Sequence, residues 1–443
     1  MSATFESLQI PNYRKFFAGA LVSNVGSWVK NIAQSWLVLT ILTDNSSSAL
    51  GLVAALQFVG VPLFASYGGA VADRFDKRKI LLVTQILFAC LALTTAVLVY
   101  FELAQLWHIF VIATVEGVIA AFDNPARTAF VSEIVPEKML PNAVGLNSMS
   151  FNGARLVGPA LAGILISVLG VAPALFLNGI AFFAMFIALI VMNRNEIEHA
   201  PRAARKGAVR EGLHYVRQHP ELIVLMVIVF FLGTFGLNFQ LYNALMATVV
   251  FNRDAAEYGL LGTVMAIGTF AAALIATRRK RPRLKVVLLS LVAFSFSTIL
   301  AGFAPSYYAY AFFLIPCGFF ALTVMTSCNV AVQMGTEREY RGRVMAIYMT
   351  IFLGGTPIGS PLIGWLGDVV GPRAVLIICG GITLAAALGV VVFYMIHDGL
   401  RFSFKFEKYL LRLEAVWVYS DDSATFSDTK IIENKKAVLP SED

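Results

Sequence analysis

The sequence predicts an all-α polytopic membrane protein in which twelve transmembrane helices form two six-helix bundles. Three observations lead to this fold class: the composition, the number of long apolar runs, and a repeat that relates the two halves of the chain. Of the 443 residues, 58% are hydrophobic and only 14% are charged, whereas a soluble domain carries about 25% charged residues. The chain has too few charged residues to cover a water-exposed surface, so we expect it to span a membrane.

Twelve apolar runs are long enough to cross a bilayer as helices, which takes about 20 residues each. They are residues 16–42, 48–72, 79–101, 106–130, 141–168, 172–193, 221–250, 255–277, 284–303, 307–333, 343–367 and 373–397. A polar gap after the sixth run divides the chain into four regions. These are an N-terminal six-helix bundle (1–193), a cytoplasmic linker with a short amphipathic helix (194–220), a C-terminal six-helix bundle (221–397) and a cytoplasmic, partly disordered tail (398–443).

The basic residues predict the orientation. If the N-terminus is cytoplasmic, 30 of the 34 Lys and Arg residues fall in the inner loops, the linker and the tails, as membrane topology favours. The outer loops hold only Arg253 and Arg373, while Lys30 and Arg155 lie within runs. We therefore expect a multi-pass protein of the cytoplasmic membrane with both termini inside. The net charge of +7 then follows from topology, and the expected partner is the lipid bilayer and not a nucleic acid.

The fifth and sixth runs repeat as the eleventh and twelfth. Chance matches between glycine-rich membrane helices are the alternative, but eight identities at one offset favour a true repeat. Two parallel six-helix repeats with a substrate site between them are an architecture of transporters. At an offset of 201 residues the identical pairs are Phe151 and Phe352, Gly153 and Gly354, Gly158 and Gly359, Leu161 and Leu362, Gly163 and Gly364, Gly170 and Gly371, Leu175 and Leu376, and Gly179 and Gly380.

A densely charged turn, Gly69-Ala-Val-Ala-Asp-Arg-Phe-Asp-Lys-Arg-Lys79, joins the second and third runs. It resembles the signature loop of the major facilitator superfamily, Gly-x-x-x-Asp-Arg-x-Gly-Arg-Arg/Lys, and Lys77 keeps the charge expected at its position. Asp76 replaces the second glycine of that pattern and is one of the few non-glycine residue types that enter the left-handed region. The residues that match are Gly69, Asp73, Arg74, Arg78 and Lys79.

Further motifs resemble one bacterial branch of this superfamily, which includes enterobactin exporters and macrolide-efflux proteins. The resemblance covers residues 5–400 and implies a drug:proton antiporter type of secondary transporter in the major facilitator fold. It implies export of small amphipathic molecules by alternating access in a monomer, and neither a cofactor nor a metal site is expected from the sequence. The motifs are Ala121-Phe-Asp-Asn-Pro-Ala-Arg127, Leu140-Pro-Asn-Ala143, Leu146-Asn-Ser148, Arg155-Leu-Val-Gly-Pro159, Gly259-Leu-Leu-Gly262 and Arg341-Gly-Arg-Val-Met345.

The fifth run also resembles the antiporter motif of exporting branches. Gly158, Pro159 and Gly163 match, although one further glycine of that pattern is missing. Small residues allow close contact between helices, and a proline frees a backbone carbonyl and bends its helix. Ordinary helix packing explains these residues as well as a role in setting the direction of transport does.

Charged residues within membrane spans are where coupling chemistry is expected, because each costs about 2.5 kcal/mol or more at the bilayer centre. Lys30, Glu116 and Arg155 fall near the middle of runs one, four and five, at a rise of about 1.5 Å per residue. We interpret Glu116 as a candidate proton carrier, kept ionised by Lys30 and Arg155. The alternative is a static ion-pair cluster that never titrates.

A second group of charged residues lies near the cytoplasmic ends of runs two to four and is interpreted as a gate. Asp123 is expected to pair with Lys77 or Arg78, and Asp73 to meet the start of run eleven. Such contacts would latch the two halves in the outward-facing state. The predicted gating residues are Gly69, Asp73, Arg74, Lys77, Arg78, Asp123 and Arg127.

The substrate wall is predicted from aromatic and amide groups among aliphatic residues, which suit a large, partly apolar ligand. For each of these residues a satisfied hydrogen bond between helices is the simpler interpretation. We find no phosphate-binding loop, nucleophile–base spacing or metal-ligand spacing, so neither ATP-driven transport nor an enzyme is expected. The candidate cavity residues are Asn24, Trp28, Gln34, Gln240, Tyr242, Asn243, Thr323, Thr326 and Asn329.

Two classes of function remain open at this stage. The first is a proton-coupled exporter of a drug-like or siderophore-like molecule, with a metabolite importer of the same fold as its variant. The second is a protein of this fold that is not proton-coupled, such as a lipid-handling or sensor protein. Efflux of a dye from expressing cells would separate the two classes.

Overall fold

The computed structural model describes residues 3–197, 209–276, 284–397, 400–407 and 410–417. The N-terminal half holds six long helices, two of which carry short additions. A 3-10 turn (Ala3–Gln9) precedes α1, and a π-helical turn (Leu37–Leu42) extends it. A 3-10 turn (Glu137–Met139) also leads into α5. The helices are α1 (Pro11–Trp36), α2 (Ser47–Arg74), α3 (Lys77–Tyr100), α4 (Leu106–Ile134), α5 (Leu140–Leu169) and α6 (Val171–Val191).

The second half begins with a short helix, and its first membrane crossing (Pro220–Val250) consists of two helices, each extended by a π-helical turn (Leu232–Gly236 and Met246–Val250). A 3-10 turn at Arg194–Glu196 follows α6. The helices are α7 (Val209–Gln218), α8 (Pro220–Phe231), α9 (Phe239–Leu245), α10 (Ala255–Ala276), α11 (Leu284–Gly302), α12 (Tyr307–Gly335), α13 (Arg341–Val370) and α14 (Pro372–His397).

In the described part of the chain, eleven helical segments are long and apolar enough to cross a membrane. The predicted fold class is confirmed, although twelve such segments were expected. The one missing from this set is α1, which carries Arg14, Lys15 and Lys30 and is more polar than the others. Its length, continued to Leu42, matches that of its neighbours.

Helix ends follow from local chemistry. The side chain of Ser46 accepts a hydrogen bond from the Ala49 N–H and begins α2. Asp76 accepts hydrogen bonds from the N–H groups of Arg78 and Lys79 and begins α3. Its φ is −60°, so Asp76 serves as a helix cap and not as the left-handed residue that the glycine of the signature loop predicts.

The repeat is visible in the backbone as well. Gly170 ends α5 with a φ of 89°, and Gly371 ends α13 with a φ of 84°. Such positive φ values favour glycine, because a Cβ is strained there. Two glycines of the sequence repeat are therefore explained by identical helix ends in the two halves.

The two bundles meet along two pairs of antiparallel helices, α2 with α13 and α5 with α10. One end of the molecule carries the basic turn between α2 and α3 together with the turn between α4 and α5, and we call it the basic end. The opposite end carries the loops after α1 and α13, and we call it the far end. These two helix pairs decide which end of the space between the bundles is closed.

The linker helix α7 packs on the start of α13 at the basic end. Gly212 lies so close that a Cβ there would be 2.9 Å from the Arg343 Cβ. Glu211 pairs with Arg343 at 2.8 Å, and the Tyr215 ring stacks on Tyr340. The linker is thus held to the C-terminal bundle in this structure.

The described part of the tail forms an antiparallel hairpin of β1 (Leu400–Glu407) and β2 (Leu410–Trp417). The all-α fold class predicted from the sequence includes no strand there. The remainder of the tail, which the sequence predicts to be disordered, lies outside the described residues, as does most of the basic run at 278–285.

Candidate functional site

The far end of the α2–α13 pair is closed by small residues. A Cβ on Gly51 would collide with the backbone carbonyl of Ser360, and a Cβ on Gly364 with that of Ser47. A Cβ on Gly367 would lie 2.7 Å from the Cβ of Ser47. The two helices therefore touch along their backbones, which only small residues permit.

A carboxylate completes this contact. Asp368, two residues before the end of α13, accepts hydrogen bonds from the backbone N–H groups of Ser47 at 2.7 Å and of Ser48 at 3.0 Å. These groups belong to the first turn of α2, where N–H groups have no partner within the helix. The C-terminal bundle thus supplies the cap of a helix in the N-terminal bundle.

The α5–α10 pair is closed in the same way. A Cβ on Gly163 would lie 2.5 Å from the Ala255 carbonyl oxygen, and one on Gly262 would lie 2.8 Å from the Pro159 Cβ. Gly259 faces the carbonyl of Pro159 even more closely. Pro159 and Gly163, two of the three antiporter-like residues, therefore lie in the contact between bundles, while Gly158 packs on Trp28 of α1.

Gln240, a predicted cavity residue, is also part of this closure. Its Nε2 donates to the carbonyl oxygen of Asn31 and to the Oγ of Ser35, both at 3.0 Å. The ring of Trp36 stacks on that of Tyr258 nearby. Between described residues, the hydrogen bonds that join the two bundles all lie in the far half or the middle of the helices.

Toward the basic end the same face of α2 is uncovered. From Gly51 this face continues at helical spacing through Phe58 and Gly69 to Asp73. Phe58 is 38% exposed, a Cβ on Gly69 would meet nothing within 4 Å, and Asp73 is exposed. The contact with α13 has therefore ended before the helix does.

The partner helix shows the same change. On α13 the face that carries Ser360 continues through Met349 and Ala346 to Gly342. Met349 is 41% exposed, Ala346 is exposed, and a Cβ on Gly342 would meet nothing within 4 Å. Along this helix pair the two bundles are therefore in contact at the far end and apart at the basic end.

An ion pair lies between α1 and α4 near the middle of the membrane-spanning region. The Nζ of Lys30 is 2.7 Å from an Oε of Glu116, and the two side chains are only 9% and 6% exposed. Lys30 and Glu116 therefore lie together, as their similar depth along the helices predicts. Arg155 does not join them: in the described part of the chain it has no ion pair, and its guanidinium carbon lies 5.9 Å from the centre of the Trp28 ring.

The predicted gate residues have other partners than expected. Asp123 pairs with Arg127, one helical turn away, at 3.0 Å and accepts hydrogen bonds from Thr84 and Gln85. Lys77 is therefore not its partner.

Lys77 instead pairs with Glu133 at 2.6 Å. Arg78 donates to the carbonyl oxygens of Leu189 and Ile190 at the end of α6. Lys77 and Arg78 therefore hold α3 to α4 and α6 inside the N-terminal bundle.

The expected latch between Asp73 and the start of α13 is not formed in this structure. Asp73 and Arg74 are exposed, and Asp73 has no ion pair with any described residue. The expectation concerned the opposite conformation, in which the basic end is closed, so it stays a prediction.

Several predicted cavity residues are internal to a bundle. Tyr242 donates to the Phe235 carbonyl, and Asn243 accepts from the Tyr310 hydroxyl at 2.8 Å. Both are almost fully buried, so they stabilise the C-terminal bundle and do not line an open wall. The hydroxyls of Thr323 and Thr326 bond to carbonyls of the preceding turn of α12.

The remaining predicted residues lie on α1 and α12. The Asn24 amide donates to Ser150 of α5, and Trp28 packs on Phe151 with ring centres 6.3 Å apart. Gln34 is buried, and its Nε2 has no hydrogen-bond partner among the described residues. Asn329 accepts from Gln333.

Sequence reasoning missed two acids that the structure places in contacts. Asp368 follows directly after the apolar run 343–367, and Glu133 lies three residues after the run 106–130. Both are therefore absent from a search of run interiors. A search for acids within one turn of a helix end would have found them, because carboxylates there can bind the ends of neighbouring helices.

Comparison with known proteins gives a family match over nearly the whole membrane part. Residues 2–401 match the family described as transmembrane secretion effector. The chain is 26% identical to a staphyloferrin A transporter of Staphylococcus aureus, over 87% of this chain and 96% of that one. It is 23% identical to macrolide efflux protein A of Streptococcus pyogenes, over 84% and 93%.

A third relative is the multidrug efflux pump Tap of Mycolicibacterium fortuitum, with 24% identity over 80% of this chain and 89% of the pump. Among solved structures, an inward-facing, occupied bacterial homolog of the lysosomal transporter Spinster gives a TM-score of 0.69 at 14% identity, over 88% and 97% of the two chains. The nucleoside transporter NupG gives 0.66 at 12% identity, over 86% and 99%. At such identities the structures show a shared fold.

Proposed function

The chain belongs to the transmembrane secretion effector family of the major facilitator superfamily, and from this premise we propose that it is a proton-coupled exporter of small amphipathic molecules. It is a multi-pass membrane transporter and not an enzyme. Export of drug-like or siderophore-like substrates is supported by the relatives, which are named as efflux proteins and as a siderophore transporter. We expect the monomer to be the working unit.

The proposed orientation of the protein in the membrane rests on the distribution of its basic residues. The basic end is assigned to the cytoplasm, because 30 of the 34 Lys and Arg residues lie in segments on that side and such residues are retained inside. The conformation with a closed far end is then inward-facing. An exporter takes up its substrate in this state, since the space between the bundles opens to the cytoplasm.

The Lys30–Glu116 pair is the observation that carries proton coupling. It is buried and falls near the middle of runs one and four, where ionisable residues are functional by default. Protonation of Glu116 would leave Lys30 without its counter-ion, and breaking one partner of a buried pair costs about 3–5 kcal/mol. The proton and the arrangement of α1 and α4 are therefore energetically linked, as coupled transport requires.

Alternating access supplies the rest of the mechanism. Substrate enters from the cytoplasm, the basic end closes, and the backbone contacts of α2–α13 and α5–α10 at the far end separate. The two bundles then rock about the central site. Exchange of a proton at Glu116 for the substrate would give the cycle its direction.

The test uses inside-out vesicles of expressing cells and a panel of fluorescent dyes, both cationic and anionic. Energised vesicles with wild-type protein are expected to accumulate a dye, and a protonophore should stop the accumulation. Glu116→Gln should abolish it, whereas Glu137→Gln, at an exposed loop acid, should not. Accumulation that continues in the presence of the protonophore would contradict proton coupling. Dye movement in the reverse direction would favour import.

A further inference from the structure

Arg155 stands apart from the other charges near the membrane centre. Lys30 and Glu116 neutralise each other at 2.7 Å, and the described part of the chain offers Arg155 no acid within ion-pair distance. Its guanidinium carbon lies 5.9 Å from the centre of the Trp28 ring. Among the described residues, Arg155 is therefore a positive charge near the centre that no acid compensates.

The packing of α5 shows where Arg155 lies. Gly158 packs on α1, and Pro159 and Gly163 pack on α10. By helical spacing, Arg155 falls between these two faces. It lies on the same side of α5 as Phe151, which is one turn closer to the basic end. Phe151 is 50% exposed although both neighbouring faces are covered. Arg155 is therefore placed at the space between the bundles, which is open toward the basic end.

An arginine at membrane depth that faces such a space marks a substrate pathway or binds a partner there. Glu116, the acid that the sequence predicts as the partner of Arg155, is taken by Lys30. Guanidinium groups bind carboxylates through two parallel hydrogen bonds, a geometry that a lysine does not offer. A ligand that brings its own carboxylate would complete the site.

We propose that Arg155 is the substrate-recognition residue for an anionic group, and that the transported molecules carry a carboxylate next to an apolar body. Trp28 and Phe151, whose ring centres are 6.3 Å apart, provide the apolar surface beside the cation. This inference rests on the proposed transport function. It replaces the expectation that Arg155 belongs to the Glu116 ion-pair cluster.

A matched pair of probes tests the proposal: pyrene-1-butyrate and its uncharged amide share one aromatic body and differ in the carboxylate. Binding to the purified full-length protein is read as energy transfer from tryptophan to pyrene, without any proton gradient. The wild type should bind the carboxylate about tenfold more tightly than the amide, since hydrogen bonds between charged groups are the strong ones. Arg155→Gln should lose this preference, and Arg155→Lys should keep part of it.

Arg253→Gln is the matched control, because that arginine lies at the far end and is already paired with Glu257. It should retain the full preference. Equal affinity of the wild type for both probes, no binding of the carboxylate, or a preference that survives in Arg155→Gln would each overturn the proposal. Thermal unfolding gives a second readout: Arg155→Gln should unfold at or above the wild-type temperature, and a clear loss of stability would assign Arg155 a structural role instead.

Failure of this proposal is distinguishable from failure of the proposed function. Probe binding is measured at equilibrium and does not depend on transport. A protein that moves dyes against a proton gradient without preferring the carboxylate would retain the function and lose this inference. A protein that prefers the carboxylate but moves nothing with protons would do the reverse.

Discussion

Each end of the α2–α13 pair carries an acidic residue near the end of one helix, and only one of these two acids is bound to the partner helix in this structure. At the far end Asp368, near the end of α13, caps the first turn of α2 with hydrogen bonds of 2.7 and 3.0 Å. At the basic end Asp73, near the end of α2, is exposed, and the start of α13 lies opposite it in the antiparallel pair. Each helix thus ends in an acid that faces the start of its partner.

In the proposed transport cycle, this difference lets one pair of helices serve both sides of the membrane. We expect that closing the basic end binds Asp73 and leaves Asp368 in water, which would keep the free energies of the two states similar. Transporters need such balance, because a ligand can shift an equilibrium only by its differential affinity for the two states. The glycine contacts between α2 and α13 lie at the closed far end. Substitutions there should therefore shift the balance between the two states most strongly.

The largest effect is expected from Gly51→Ala. The added Cβ would collide with the Ser360 carbonyl, and overpacking of this kind costs about 1–3 kcal/mol. The population with a closed far end should fall by about tenfold, seen as a longer distance between spin labels at the exposed positions Leu103 and Phe303. Gly354→Ala, where a Cβ meets nothing within 4 Å, should leave the distance unchanged. An equal change in both variants would contradict the role of the Gly51 contact.

A smaller effect in the same direction is expected from Asp368→Asn. The variant weakens a helix cap, which costs about 1 kcal/mol, so the far-end-closed population should fall roughly fivefold. The same pair of spin labels reports it. Asp44→Asn removes an exposed acid at the same end and serves as the control. If both variants behave alike, the effect is one of general surface charge and the cap has no conformational role.

The smallest effect is expected from Asp73→Asn, and it should have the opposite sign. Asp73 has no ion-pair partner among the described residues in this state, so its removal is expected to weaken only the state in which the basic end is closed. A charge at a helix end contributes about 0.5 kcal/mol, which predicts a modest rise in the far-end-closed population. A shift toward the far-end-open state would show that the two acids are not counterparts.

The sequence predicts the spans, the repeat and the pairing of Lys30 with Glu116, because apolar run length and depth along a helix follow from residue counts alone. Depth does not tell which way a side chain faces around its helix. Arg155 has the depth of Glu116 but lies on a different face, beside Trp28, and this is why the predicted three-residue cluster is only a pair.

The ion-pair partners of charged residues near helix ends are harder to predict from the sequence. Asp123 could reach several basic residues, and it binds Arg127 because that residue lies one turn away on the same helix. Lys77 then pairs with Glu133. Glu133 lies after the apolar run, so it is not among the charged residues predicted to lie within a span. Tyr242 and Asn243 show the same limit, since polar residues on a helix can face either a cavity or a bundle core.

The central claim, that substrate and proton exchange through Glu116, is tested most directly by the proton movement that accompanies substrate transport. Purified protein is reconstituted in liposomes that contain a pH-sensitive dye, and a gradient of a transported substrate is applied without a proton gradient. By reciprocity of coupling, the wild type should drive protons in the opposite direction to the substrate, and Glu116→Gln should move none while Glu137→Gln behaves as wild type. Substrate movement by the wild type with no change in internal pH would contradict the account.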